Sequence, residues 1–190
     1  TQPMFYLYKG MGYKELKENK KAISAFKTGK NVVIDNEKME FDFLSKLGDT
    51  YHENGEFKKS DEAFEAAMEI NGLEPFMLNN YSYYLSLRKD KLEKAAELSK
   101  KSNDIYPTNP SFNDTYGWIL FQQGKYELAE RWIRKSLDNG GDKSGTVLEH
   151  YGDVLQKIDG NTNRAMEYWK KAKATGEHSE ELIKKLNKVN

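Results

Sequence analysis

Small side chains recur at Gly48, Ser82, Gly117 and Gly152, at intervals of 34, 35 and 35 residues, and Gly10 joins the series with a few extra residues after it. A second ladder runs Ala22-Phe26-Gly29, Ser60-Phe64-Ala67, Ala95-Ser99-Ser102, Ala129-Ile133-Ser136 and Ala165-Trp169-Ala172. Each rung keeps the spacing four then three, which places its members on one helix face. Between the ladders lie turn residues: Asn54-Gly55, Lys89-Asp90, Gly124-Lys125 and Asp159-Gly160-Asn161. The pattern predicts helix hairpins, because two helices approach to about 8 to 10 Å only where the facing side chains are small. Gly117 against Ala129, and Gly48 against Ser60, supply such crossings, while Leu47, Tyr51, Phe64 and Trp169 fill the space beside them.

These residues resemble the tetratricopeptide repeat (TPR), whose pattern is W-x2-L-G-x2-Y followed by A-x3-F-x2-A-x4-P over 34 residues. Leu47-Gly48-x2-Tyr51 through Phe64 and Ala67 is the nearest copy. Tyr116-Gly117-x2-Leu120 through Ala129, and Tyr151-Gly152-x2-Leu155 through Ala165, Trp169 and Ala172, follow it. Ser82 replaces the glycine of the third unit, Ser60 the alanine of the second, and Pro107 alone holds the terminal proline position. Asn79-Asn80-Tyr81-Ser82-Tyr83 and Asp114-Thr115-Tyr116-Gly117-Trp118 look most like bacterial TPR proteins. The resemblance implies an all-α, right-handed superhelical solenoid forming one domain over residues 1–190, with repeats at about 3–36, 41–74, 75–109, 110–144 and 145–179.

The last segment, 180–190, reads as a capping helix. Glu180 and Glu181 open it, Lys184, Lys185 and Lys188 close it, and Leu182, Ile183, Leu186 and Val189 form an apolar stripe. The first helix is different, since Met4, Phe5, Tyr6, Leu7, Tyr8 and Met11 make it apolar nearly all round. That composition suits a fragment of a longer chain with further repeats ahead of Thr1, or self-association through this helix.

Composition narrows the function. The 190 residues carry 30 basic and 30 acidic side chains, no cysteine and 13% aromatics. Val and Ile number only 13, against abundant Leu, Lys, Glu and Ala, which favours helix. A balanced charge argues against nucleic acid as a partner, which requires a surplus of Lys and Arg. No apolar run reaches the length of a membrane span, about 18 residues. The compartment stays open between a bacterial periplasm or cell envelope and the cytoplasm. Lys100-Lys101, Arg134-Lys135 and Lys170-Lys171 recur on successive second helices, but Glu97, Glu130 and Glu167 stand four residues before Lys101, Arg134 and Lys171. The stripe therefore reads as helix-stabilising ion pairs.

Enzyme signatures are missing. Glu149-His150-x2-Asp153 and Asp49-x2-His52-Glu53 have spacings suited to a metal or an acid–base pair, but neither supplies a complete ligand set, so no cofactor and no metal are expected. The resemblance instead assigns such positions to a concave, partner-binding groove. By register they are Lys46, Asp49 and His52; Asn79, Asn80 and Tyr83, with Phe76 and Ser86; Asp114, Trp118, Phe121 and Gln122; and Glu149, His150, Asp153 and Gln156. Asparagine amides can pair with a peptide backbone and Tyr83 or Trp118 can hold an apolar side chain, or Trp118 and Phe121 can pack on the next repeat. Asp114, Glu149 and Asp153 make one end acidic and suited to a basic partner. Only Asn80 matches the carboxylate clamp of TPR chaperone adaptors, so that clamp is not expected. The chain reads as a non-enzymatic scaffold for a peptide or partner protein, with envelope assembly through its amino-terminal edge as the alternative.

Overall fold

A computed structural model describes residues 2–160, 162–176 and 179–188, the side chain of Asp159 excepted. Asn161 of the expected last turn, and Val189 and Asn190 at the end of the expected cap, lie outside the described residues. Among the described residues there are eleven α-helices and no strand. They are α1 (Pro3–Glu15), α2 (Asn19–Asn31), α3 (Glu37–Glu53), α4 (Phe57–Ile70), α5 (Pro75–Arg88), α6 (Leu92–Ile105), α7 (Pro110–Gln122), α8 (Tyr126–Asp138), α9 (Gly145–Asp159), α10 (Thr162–Ala174) and α11 (Glu180–Lys188). The chain forms two compact units, Thr1–Tyr84 and Leu85–Asn190, divided within α5.

Each helix starts and stops for a local reason. Asn36 caps α3 by accepting from the Met39 amide at 2.9 Å, and Asn109 caps α7 by accepting from Phe112 at 3.2 Å. At the end of α3, Gly55 takes a positive φ of 78°. Its amide donates to the His52 carbonyl at 2.9 Å and the Glu56 amide to that of Tyr51 at 2.8 Å, so the helix is closed before α4 begins. Gly124 closes α7 in the same way, whereas Lys17 and Lys89 adopt the left-handed conformation at the ends of α1 and α5. A side chain there carries a strain of about 1 kcal/mol that glycine avoids.

In residues 1–84, α1 packs on α2, α2 on α3 and α3 on α4. Their core joins Leu7, Ala22, Phe26, Phe43, Leu47 and Tyr51. The α3–α4 crossing is close because Gly48 faces Phe64, where an added Cβ would stand 2.8 Å from the ring. Ser60 keeps this crossing tight while departing from the repeat pattern: its buried hydroxyl donates to the Gly48 carbonyl at 2.8 Å.

In residues 85–190 each helix from α6 onward packs on the next, α7 also touches α9, and α11 lies on α10. Leu182 and Leu186 of α11 are buried with Leu148, Ala165, Trp169 and Ala172. A largely buried amide network joins helix ends within this unit. Asn113 donates to Asn103 at 2.6 Å, Asn139 donates to Asn113 at 2.9 Å, and Asn103 donates to the Ser99 and Phe112 carbonyls at 2.9 Å. Such a chain fixes the helix ends, since each amide left unpaired would carry its desolvation cost. The outer basic side chains are paired within their helices: Lys101 with Glu97 at 3.4 Å, Lys171 with Glu167 at 2.7 Å, and Arg134 Nε with Glu130 at 2.9 Å.

Candidate functional site

The candidate residues fall on the first helices of the hairpins, and the two units hold separate sets. In residues 1–84 they come from α3 and α5. Asp49 is buried and accepts from the Asn80 amide at 3.2 Å, and the Tyr84 hydroxyl also bonds it. His52 stacks on Tyr84 with ring centroids 3.8 Å apart and planes 11° from parallel. These contacts tie α5 to α3. Burial pushes the Asp49 carboxyl above its ordinary range, against the opposing pull of Lys14 and Lys46, and burial likewise raises the Tyr84 hydroxyl.

Lys46, Asp49 and Asn80 line a cavity of about 250 Å³ together with Phe41, Phe76 and Met77. Phe76 is 55% exposed and gives that cavity an apolar lip. Asn79 is buried, and Tyr83 is half-buried with its ring 6.3 Å from that of Tyr84.

The raised Asp49 carboxyl yields a signed prediction. A group whose folded pKa lies above its unfolded value contributes stability below the unfolded value and loses it as pH rises through the folded one. The Asp49 charge therefore opposes folding at neutral pH. Asp49→Asn, which keeps an acceptor for Asn80 or Tyr84, is expected to raise stability at neutral pH. The gain should fade as pH falls from the raised folded value towards the ordinary carboxylate value and be absent below it, as read from urea unfolding at a series of pH values.

In residues 85–190 the candidates lie on α7 and α9. His150 Nδ1 stands 3.0 and 3.1 Å from the two Asp114 carboxylate oxygens, and both residues are buried. Trp118 stacks on His150 at 3.9 Å and 10°, and Phe121 stacks on Trp118 at 4.8 Å and 12°. The rings thus form one pile along α7 and α9. Gln122 is half-buried.

Glu149 and Asp153 meet residues from outside the expected groove. Lys185 of α11 reaches both, at 2.9 Å to Glu149 and 2.6 Å to Asp153. Ser179 donates to Glu149 at 2.8 Å while capping α11 through the Leu182 amide at 3.0 Å. Trp169 Nε1 donates to Asp153 at 3.0 Å. Burial raises the Asp153 carboxyl, with Lys185 pulling the other way. The acidic end expected from Asp114, Glu149 and Asp153 is therefore met within the chain by His150 and Lys185.

Lys185 is the residue the groove assignment omits, and the period could have found it. It stands 35 positions after His150, which itself stands 35 after Thr115. Three residues of this one repeat position reach back to a carboxylate of the preceding first helix: Asn80 to Asp49, His150 to Asp114, and Lys185 to Glu149 and Asp153. A cavity of about 280 Å³ lies beside the last of these, lined by Phe121, Asp153, Gln156, Lys157, Trp169 and Lys185. Among the described residues, no cluster of three His, Asp or Glu is placed to hold a metal ion, and no helix is long and apolar enough to cross a membrane.

Residues 41–72 match the family model described as tetratricopeptide repeat. A stretch of 76 residues, 40% of the chain, is 36% identical to a TPR repeat-containing protein of Pseudomonas aeruginosa, and it spans only 12% of that protein's length. Among solved structures, that of Pseudomonas aeruginosa PilF superposes with a TM-score of 0.78 at 21% identity, covering 98% of this chain and 83% of that one. PilW, described as a widely conserved type IV pilus biogenesis factor, gives 0.79 at 18% identity over 97% and 86%. MamA of Desulfovibrio magneticus gives 0.73 at 13% identity over 92% and 94%. At these identities the likeness to the solved structures is one of fold. The chain thus carries a tetratricopeptide repeat at residues 41–72 and shares the all-helical fold of these solved structures along most of its length.

Proposed function

We propose that the protein is a non-enzymatic scaffold that holds a peptide segment or partner protein against the first helices of its hairpins. The observation that carries this reading is the meeting of Lys46, Asp49 and Asn80, assigned to a ligand-facing surface by register alone, in one cavity with Phe76 at its lip. A cation, an amide and an exposed ring beside a cavity suit an extended segment, whose backbone needs hydrogen-bond partners and whose side chains need apolar contact. The coarser statement, a protein-interaction scaffold, is what the fold supports.

A second reading is favoured by α1, where Phe5 is 60% and Tyr8 65% exposed with Met4 and Met11 beside them. In that reading this edge mediates assembly within a larger complex; PilW, which shares the fold, is described as a type IV pilus biogenesis factor. One capture experiment from lysate of the native organism separates the two. Lys46→Glu, Phe76→Ala, Tyr83→Ala in one variant and Phe5→Ser, Tyr8→Ser in another are compared with the unaltered protein, all folding equally by circular dichroism. Loss of a specific partner from the first variant supports the scaffold reading. A partner set unchanged there and depleted in the second overturns it in favour of assembly.

A further inference from the structure

The cavity between α7, α9, α10 and α11 is lined by Lys157 and Lys185 as well as by Asp153. Asp153 is held by Lys185 and Trp169, Glu149 by Lys185 and Ser179, and Asp114 by His150. Lys157 is exposed at the edge and makes no ion pair among the described residues. Lys185 is shared between Asp153 and Glu149, which leaves Lys157 as the lining cation not engaged by a carboxylate of the described residues. The remaining walls of the cavity are the rings of Phe121 and Trp169. Gln156 lines it too, and the buried Gln156 Oε1 has no hydrogen-bond partner.

We infer that this cavity receives an apolar side chain of a partner protein segment whose adjacent residue is Asp or Glu. The inference rests on the scaffold reading and names the partner chemistry at this end of it. Size permits an apolar side chain, since this open depression measures about 280 Å³. Two aromatic walls favour an apolar occupant. Lys157 gives a flanking carboxylate a charged partner that Asp153, already engaged, does not cancel. A backbone amide of the incoming segment would supply the donor that Gln156 Oε1 lacks.

The probes are two acetylated, amidated heptapeptides, Gly-Ser-Asp-Leu-Asp-Ser-Gly and Gly-Ser-Lys-Leu-Lys-Ser-Gly. Each is titrated into the isotope-labelled full chain while the indole signals are followed by NMR. Trp169 lines the cavity, whereas Trp132 packs edge-on against Tyr116 at 4.8 Å and serves as the internal reference. The acidic peptide should shift Trp169 and the Gln156 amide, leave Trp132 in place and bind about fivefold more tightly than the basic one. Lys157→Glu, a change at an exposed and unpaired position, should reverse that order. Equal binding of the two peptides, an order unchanged by Lys157→Glu, or no response at Trp169 overturns the inference. If a partner captured through Lys46, Phe76 and Tyr83 still binds Lys157→Glu normally, this inference falls and the scaffold reading stands. A partner set indifferent to those three residues overturns the scaffold reading itself, whatever the peptides do.

Discussion

Gly152→Val is expected to lower the stability of the α9–α10 hairpin by about 4 kcal/mol, the cost of driving a large aromatic side chain from its site. A Cβ on Gly152 would already stand 2.5 Å from two atoms of the Trp169 ring and 3.1 Å from the Ala165 carbonyl oxygen. The ring has little freedom to yield. It is buried with Leu182 and Leu186 on its core side, and its Nε1 is held by Asp153 at 3.0 Å. Urea unfolding followed by tryptophan fluorescence should show the lower midpoint together with a red-shifted native emission as Trp169 meets water. Gly12→Ala should do the reverse. Gly12 is an exposed position in α1 where an added Cβ meets nothing within 4 Å, so the exchange should stabilise by about 0.5 to 1 kcal/mol, read by circular dichroism. Equal responses at the two positions would mean that Trp169 is not pinned.

That contrast marks what was legible in the sequence. Spacing distinguishes the glycines: Gly152 and Gly48 fall on the small-residue ladder and face Trp169 and Phe64, while Gly12 falls off it. The second ladder likewise lands on buried faces, with Ala129, Ile133 and Ser136 in α8 and Ala165, Trp169 and Ala172 in α10 all buried. A repeat period carries this information because every copy must bury the same stripe against its neighbour. The ligand-facing set is harder to read. Register names a helix face, but whether Trp118 turns to solvent depends on the residue beside it on α9, and His150 offers a flat ring on which it stacks. The charge of the far end depends in turn on Lys185, which the 35-residue period reaches but a groove register carried only through the fifth repeat leaves out. Ser60 and the Asn103–Asn113–Asn139 network lie further from reach, since each hydrogen bond depends on the distance between two helix backbones.

Lys185→Ala is expected to cost about 3 kcal/mol at neutral pH, the lower end of what removing one partner of a buried ion pair costs. The Lys185 side chain is 26% exposed, whereas Glu149 and Asp153 are 11% and 13% exposed, so water reaches the cation more readily than the carboxylates left behind. Those two acids stand four residues apart on α9 and, among the described residues, would keep Ser179 and Trp169 as donors. Like charges at that spacing repel. The pH dependence separates this cause from lost packing. Burial already raises the Asp153 carboxyl against the pull of Lys185, so without Lys185 it binds a proton still more readily in the folded chain, and the deficit should shrink as pH falls through the range where it protonates. Mere loss of side-chain packing would leave it constant. Lys185→Met combined with Glu149→Gln and Asp153→Asn removes the charges together and should recover stability to within about 1 kcal/mol of the unaltered protein. The single Lys185→Ala variant also uncovers the two acids that Lys185 reaches, so a partner segment flanked by lysine should gain affinity at this end relative to the unaltered chain.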